Sequence, residues 1–137
     1  MSAIVVMSTK AEIKSRKDIA LLVNTFYEKV RKENTLGPIF NGIISDWDAH
    51  LEILTDFWES QLFLKRKYTG DPIKAHIKTD DYMGNTMAME HFGIWLNLWF
   101  ATIDELFSGE TAWIAKNRAR KMNTMLFMKI FEHRTAK

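Results

Sequence analysis

Tyr68-Thr69-Gly70-Asp71-Pro72-Ile73-Lys74-Ala75-His76 is the stretch around which the rest of this chain is organised. Asp71 is a candidate N-cap, and Pro72 suits the first helical position, where its missing N–H has no partner to lose. The stretch therefore predicts a turn feeding a helix, with His76 just over one turn in. A histidine carried on a rigid helix start is oriented well enough to ligate a metal. One histidine alone is equally an ordinary structural or solvated residue, so the rest of the chain must supply the other half of any site.

Upstream, Ile19, Leu22, Val23, Phe26, Tyr27 and Val30 recur at spacings of three and four. This predicts an amphipathic helix starting near Ser15, with Ser15-x-x-Asp18 as a capping box that uses the shorter acid. Tyr27 lies on the inward stripe, so its hydroxyl needs an internal partner: a backbone carbonyl in a plain core, or a polar pocket. Leu36-Gly37-Pro38-Ile39-Phe40 reads as a break and a turn, with Phe40 buried just past it. A second long helix opens near Asp46 and places Trp47, His50, Leu51, Leu54, Phe57, Trp58 and Leu62 on one face. His50 then points inward among aromatics, as a core residue or as a hydrogen-bonding or ligating group. Lys65-Arg66-Lys67-Tyr68 closes that helix, where cations suit the negative end of the dipole.

Downstream, the His76 helix is expected to end by about Thr79, with Asp80-Asp81-Tyr82-Met83-Gly84-Asn85 as a loop. A third long helix is predicted over 86–107, with Ala88, Phe92, Trp95, Leu96, Trp99, Ile103 and Leu106 as its stripe and His91 one turn before Trp95. Ser108 is a candidate cap for the last helix, whose inward face is Ala115, Ala119, Met122, Leu126 and Ile130. Residues 132–137 are expected to fray, with His133 exposed. The predicted fold class is all-α, with four long helices and one short one. Residues 1–14 read as an N-terminal arm and 15–137 as a single domain.

Composition narrows the function classes. The chain has 137 residues, enough for one domain with a real core. Two prolines and six glycines favour long helices over a many-turned β fold. A net charge of +2 gives no argument for nucleic acid or a membrane surface. There is no cysteine, which excludes disulfides, thiolate ligands, iron–sulfur clusters and covalent c-type haem, and fits a cytoplasmic location. The N-terminal apolar run is too short for a secretory signal, and no apolar stretch is long enough for a transmembrane helix.

Phosphate-binding glycine loops, H-E-x-x-H and the Glu-x-x-His of di-iron bundles are all absent. What remains is an inward set of polar tips, Tyr27, His50, His76 and Trp95, in a matrix of Phe, Trp, Met and Leu. A flat, mostly apolar cofactor with an open metal position would use such a set, and haem fits. The same four residues also make plain core furniture.

Six pieces in order resemble the truncated globins of the third group over about Ile19 to Met125. They are Phe26-Tyr27-Glu28-Lys29-Val30, Leu36-Gly37-Pro38-Ile39-Phe40, Trp47-Asp48-Ala49-His50, Phe57-Trp58, Tyr68-x-Gly70-x-Pro72-x-x-x-His76 and His91-Phe92-x-Ile94-Trp95-Leu96-x-Leu98. The resemblance implies a globin-like, two-over-two helical sandwich around haem b, with His76 as the proximal iron ligand. Tyr27, His50 and Trp95 would be distal residues facing a bound gas, and Phe40, Leu54, Trp58, Tyr68 and Trp95 would line the cofactor. His91 is the rival proximal candidate, disfavoured by the Gly70-x-Pro72-x-x-x-His76 match. The arm is longer than a minimal member needs, and 78–89 has no firm match. The implied partners are diatomic gases (oxygen, nitric oxide, carbon monoxide), held for capture or redox chemistry more than delivery. Nitric oxide dioxygenase or peroxidase-like activity would need a separate reductase. The rival reading is a haem-free helical sensor or interaction module with an apolar-ligand cavity.

Overall fold

The computed structural model describes residues 10–136. Among them are six helices: α1 (Arg16–Lys32), α2 (Leu36–Ile43), α3 (Trp47–Phe63), α4 (Pro72–Tyr82), α5 (Met89–Leu106) and α6 (Glu110–Thr135). α1 lies against α3, α5 lies against α6, and the two pairs meet through α1–α5 and α3–α6. This is the expected two-over-two sandwich. Its core is the α1 stripe of Ile19, Leu22, Val23, Phe26 and Val30, closed by Trp58, Trp99, Ile103, Ala115 and Ala119. The caps follow the sequence. Ser15 Oγ accepts from the Asp18 N–H at 3.3 Å, and Asp18 returns the bond one residue further out, to the Lys14 N–H at 2.8 Å. Asp46 and Asp71 cap α3 and α4 through the N–H groups of Ala49 and Lys74, both at 3.1 Å.

Four expectations are corrected. The predicted turn at Leu36–Phe40 is the start of a helix, α2. Pro38 falls in its first turn, where an N–H has no helical partner. The Glu33 carboxylate supplies the missing acceptor for the N–H groups of Thr35 and Leu36, each at 2.7 Å. A Cβ on Gly37 would stand 2.6 Å from the Arg31 carbonyl oxygen, so glycine is what lets α2 begin this close to α1.

The His76 helix does not stop at Thr79 but runs to Tyr82. The C-terminus does not fray at 132 either, since α6 continues to Thr135. One interaction explains both. Asp80 is 1% exposed and bound by the Arg134 guanidinium through both oxygens, at 2.6 and 2.9 Å. Arg134 also donates to the Met87 carbonyl at 2.5 Å, and Asp80 accepts from the Met87 N–H at 3.0 Å. His133 is half-exposed rather than free, its Nε2 3.7 Å from Asp81.

Finally, Ser108 does not cap the last helix. Gly109 takes the cap position at φ 106°, and a Cβ there would collide with Glu12. The Glu12 carboxylate does the capping, accepting from the N–H groups of Glu110 and Thr111 at 2.9 and 3.0 Å. Ser108 Oγ instead donates to the Lys10 carbonyl at 3.0 Å. With Ile13 only 1% exposed, the described end of the predicted arm is docked; residues 1–9 lie outside the described residues.

α4 packs chiefly along α6. Ile73 and Ile77 border a second small core of Met87, Phe92, Leu126 and Ile130. The helix bearing His76 therefore hangs from α6 by that core and by the Asp80–Arg134 pair.

Arg134 holds the Asp80 carboxyl at about 2, against the upward push of burial and with help from Asn85 and the Met87 N–H. The folded value lies below the ordinary 3.8. The pair therefore stabilises the fold at neutral pH, and that contribution is lost as pH falls from about 4 to about 2. Asp80→Asn removes the buried carboxylate that the part-exposed Arg134 guanidinium binds and should cost about 2 kcal/mol of unfolding free energy at pH 7. Urea denaturation checks this, and the gap between parent and variant should close across the same acidic window.

Candidate functional site

Asp71 and Pro72 start α4 rigidly, and His76 follows one turn later. Its Nδ1 lies 2.7 Å from the Pro72 carbonyl oxygen. A carbonyl can only accept, so Nδ1 carries the proton and donates. Nε2 is left with its lone pair. Burial pushes the His76 pKa down, outweighing the opposing effect of the Pro72 carbonyl. The ring is therefore neutral at neutral pH, with the tautomer fixed and one nitrogen available to a metal. The Phe92 ring runs nearly parallel to it, at 6.4 Å between centroids.

The other sequence-selected polar residues gather on the α1–α3–α5 side. Tyr27 is 5% exposed, and its ring meets Phe40 at 5.8 Å, Trp47 at 6.0 Å and His50 at 6.5 Å. Burial pushes its phenol up to about 12, and the Trp95 indole, as a hydrogen-bond donor to it, pulls the other way. Trp95 is held edge-on by Phe26 at 5.0 Å and stacked on Trp99 at 5.7 Å. Trp99 spends its own N–H on the Ala115 carbonyl at 3.2 Å. His50 is half-buried, edge-on to Tyr27 and to Trp47, and burial lowers its pKa.

The remaining expected residues divide. Phe40 and Leu54 are half-buried at the border of the main core. Tyr68 is half-buried, edge-on to Phe57 at 5.1 Å, and folded over Gly70. Trp58 is 2% exposed and stacked on Trp99 at 4.5 Å, so protein encloses it. His91, the rival ligand, accepts the Ala88 N–H on Nδ1 at 2.8 Å and thereby caps α5. The sequence reading gave no distal role to Trp47, yet its ring touches both Tyr27 and His50. The signal was available: Trp47 and His50 are three apart on a helix whose first turn they share.

Among the described residues, no three His, Cys, Asp or Glu side chains converge to hold an ion. No helix among them is long and apolar enough to cross a membrane.

No family model matches the chain. A curated relative, Group 3 truncated hemoglobin ctb of Campylobacter jejuni, is 33% identical over 115 residues, spanning 81% of this chain and 87% of that one. This chain belongs to the group III truncated haemoglobins. A crystal structure of a group III truncated hemoglobin from Campylobacter jejuni agrees in fold, with a TM-score of 0.77 and 33% identity over 86% of this chain and 92% of that one.

The site fits the haem that family membership implies. A lone imidazole retains a metal well when the metal brings its own ring of ligands. Apolar side chains at the borders of the two cores, Leu51, Leu54 and Leu62 on α3 and Ile73 and Ile77 on α4, are only half-covered by protein. A flat apolar group between α4 and α3 would cover them.

The phenol shift can be read directly. The chain has three tyrosines; burial pushes Tyr27 up to about 12, and burial together with Asp71 raises Tyr68 as well. In an alkaline absorbance titration, the difference between the parent and Tyr27→Phe should show its tyrosinate step near pH 12. A difference step near the ordinary tyrosine value of about 10 would mean that burial does not hold Tyr27 up.

Proposed function

We propose that this chain holds haem b through His76 and binds diatomic gases on the side that faces Tyr27, His50 and Trp95. The observation that carries this reading is the 2.7 Å contact from His76 Nδ1 to the Pro72 carbonyl, which leaves Nε2 unprotonated. Bound haem would supply an iron with an open position for small ligands.

The chain's own residues do the rest. His76 donates its lone pair and keeps its orientation through Pro72. Phe40, Leu54, Tyr68 and Trp95 line the cofactor's apolar faces, while Trp58 backs Trp99 from within the core. Tyr27 O–H and Trp95 N–H donate into the distal space, where a ligand carrying partial negative charge accepts them. Such charge-assisted bonds contribute about 1.5–3 kcal/mol each, which slows ligand escape by about one to two decades. That favours capture or redox chemistry over release on demand. Nitric oxide dioxygenation or peroxidase-like turnover would draw electrons from a separate reductase. The absence of cysteine suits the reducing cytoplasm as the place of action.

Tyr27→Phe tests the distal half. Stopped-flow oxygen dissociation from the reduced, haem-loaded variant should be about tenfold to hundredfold faster than from the parent. An unchanged rate removes Tyr27 from the role of donor.

A further inference from the structure

A cleft of about 420 Å³ opens between α1, α2 and α3, with Tyr27 among its lining residues and Arg31, Asn41 and Trp47 around it. The Arg31 guanidinium lies over the Trp47 ring, 4.5 Å from its centroid. Its Nε donates to Asn41 Oδ1 at 3.1 Å, and Asn41 Nδ2 returns a bond to the Arg31 carbonyl at 3.2 Å. The head group is thus fixed at both a face and an edge.

Among the described residues Arg31 has no carboxylate partner, and its two Nη groups carry no hydrogen bond. The other charges on the cleft largely cancel, since Lys32 and Glu28 lie 3.8 Å apart. Arg31 is therefore the uncompensated charge of the cleft. It is a planar fork, weakly hydrated, stacked on an indole, with its outer donors free. Such a group takes small planar or linear anions in preference to spherical, strongly hydrated ones. Trp47 continues inward to the rings of Tyr27 and His50.

We propose that this cleft is a docking and entry site for small inorganic anions, with Arg31 as the docking group and Trp47 as the wall leading to Tyr27 and His50. The entry role rests on the haem reading above; the docking role does not. Neutral diatomics have no use for the guanidinium and gain nothing from it.

Azide is the probe for entry. In the oxidised, haem-loaded parent, azide association should slow as ionic strength rises from about 0.01 M to about 1 M. Arg31→Gln should reduce the low-salt rate about three- to tenfold and flatten the salt dependence, and Arg31→Lys should restore most of both. Carbon monoxide association with the reduced Arg31→Gln protein should not slow. Unchanged azide kinetics in Arg31→Gln would overturn the proposal. So would equal slowing of azide and carbon monoxide, which marks a general distortion. Iodide quenching of haem-free protein tests docking separately. The Trp47 signal, taken as parent minus Trp47→Phe, should be quenched less by iodide after Arg31→Gln and equally by neutral acrylamide. A chain that takes up no haem defeats the haem reading and the entry role together; the iodide result still decides docking, and equal iodide quenching in parent and variant overturns it.

Discussion

The contact on which the candidate site depends is the ion pair between the buried Asp80 carboxylate and Arg134. α4 is short, eleven residues, and packs chiefly along α6, with Phe92 of α5 beside His76. An isolated helix of that length is not stable in water, so its place must come from tertiary contacts. The apolar contribution is the small core around Ile73, Ile77, Phe92 and Leu126. The polar contribution is Asp80, one turn beyond His76, clamped by Arg134 at the far end of α6. Burying a carboxylate is costly unless its partners are in place, and here it also receives Asn85 and the Met87 N–H. The result is a helix fixed at its end against α6. His76 inherits that geometry, and the Pro72 carbonyl one turn earlier sets its ring.

The opposite side of the site is built by a different kind of force. Trp95 is positioned by stacking on Trp99, which itself stacks on Trp58, while Phe26 meets Trp95 and Trp99 edge-on. Each such pair contributes about 0.5–1.5 kcal/mol beyond simple burial and has a preferred geometry. The polar tips of Tyr27 and Trp95 are thus aimed by an aromatic core that has little freedom to repack. One half of the site hangs from an ion pair and the other is wedged in place by rings. The space between them is bordered by half-covered apolar side chains, which suits a flat group better than a small polar one.

Much of this was legible in the sequence, and the failures share a cause. Periodicity found α1, α3, α5 and α6, because each carries a long inward stripe. The caps at Ser15 and Asp71 were readable because their partners lie within three residues, and the start of α3 was placed near Asp46. His76 stood out from its local start signals. The misses were set by distant partners. Asp80 looked like loop because nothing nearby indicates that Arg134, 54 residues on, will bury it. Ser108 looked like a cap because Glu12, nearly a hundred residues earlier, is invisible to a local reading. α2 was missed because Pro38 and Gly37 signal a turn, and only the close approach of α1 and the Glu33 carboxylate turn them into a helix start.

The most direct measurement is the visible absorption spectrum of the haem-supplied protein beside that of His76→Gly, with and without added imidazole. The expected result is a strong haem band in the parent, a lost or shifted band in the variant, and recovery of the parental spectrum when imidazole fills the vacated ligand position. A parental band that His76→Gly leaves unchanged would place the ligand elsewhere. No band at all in the parent would contradict the haem reading itself.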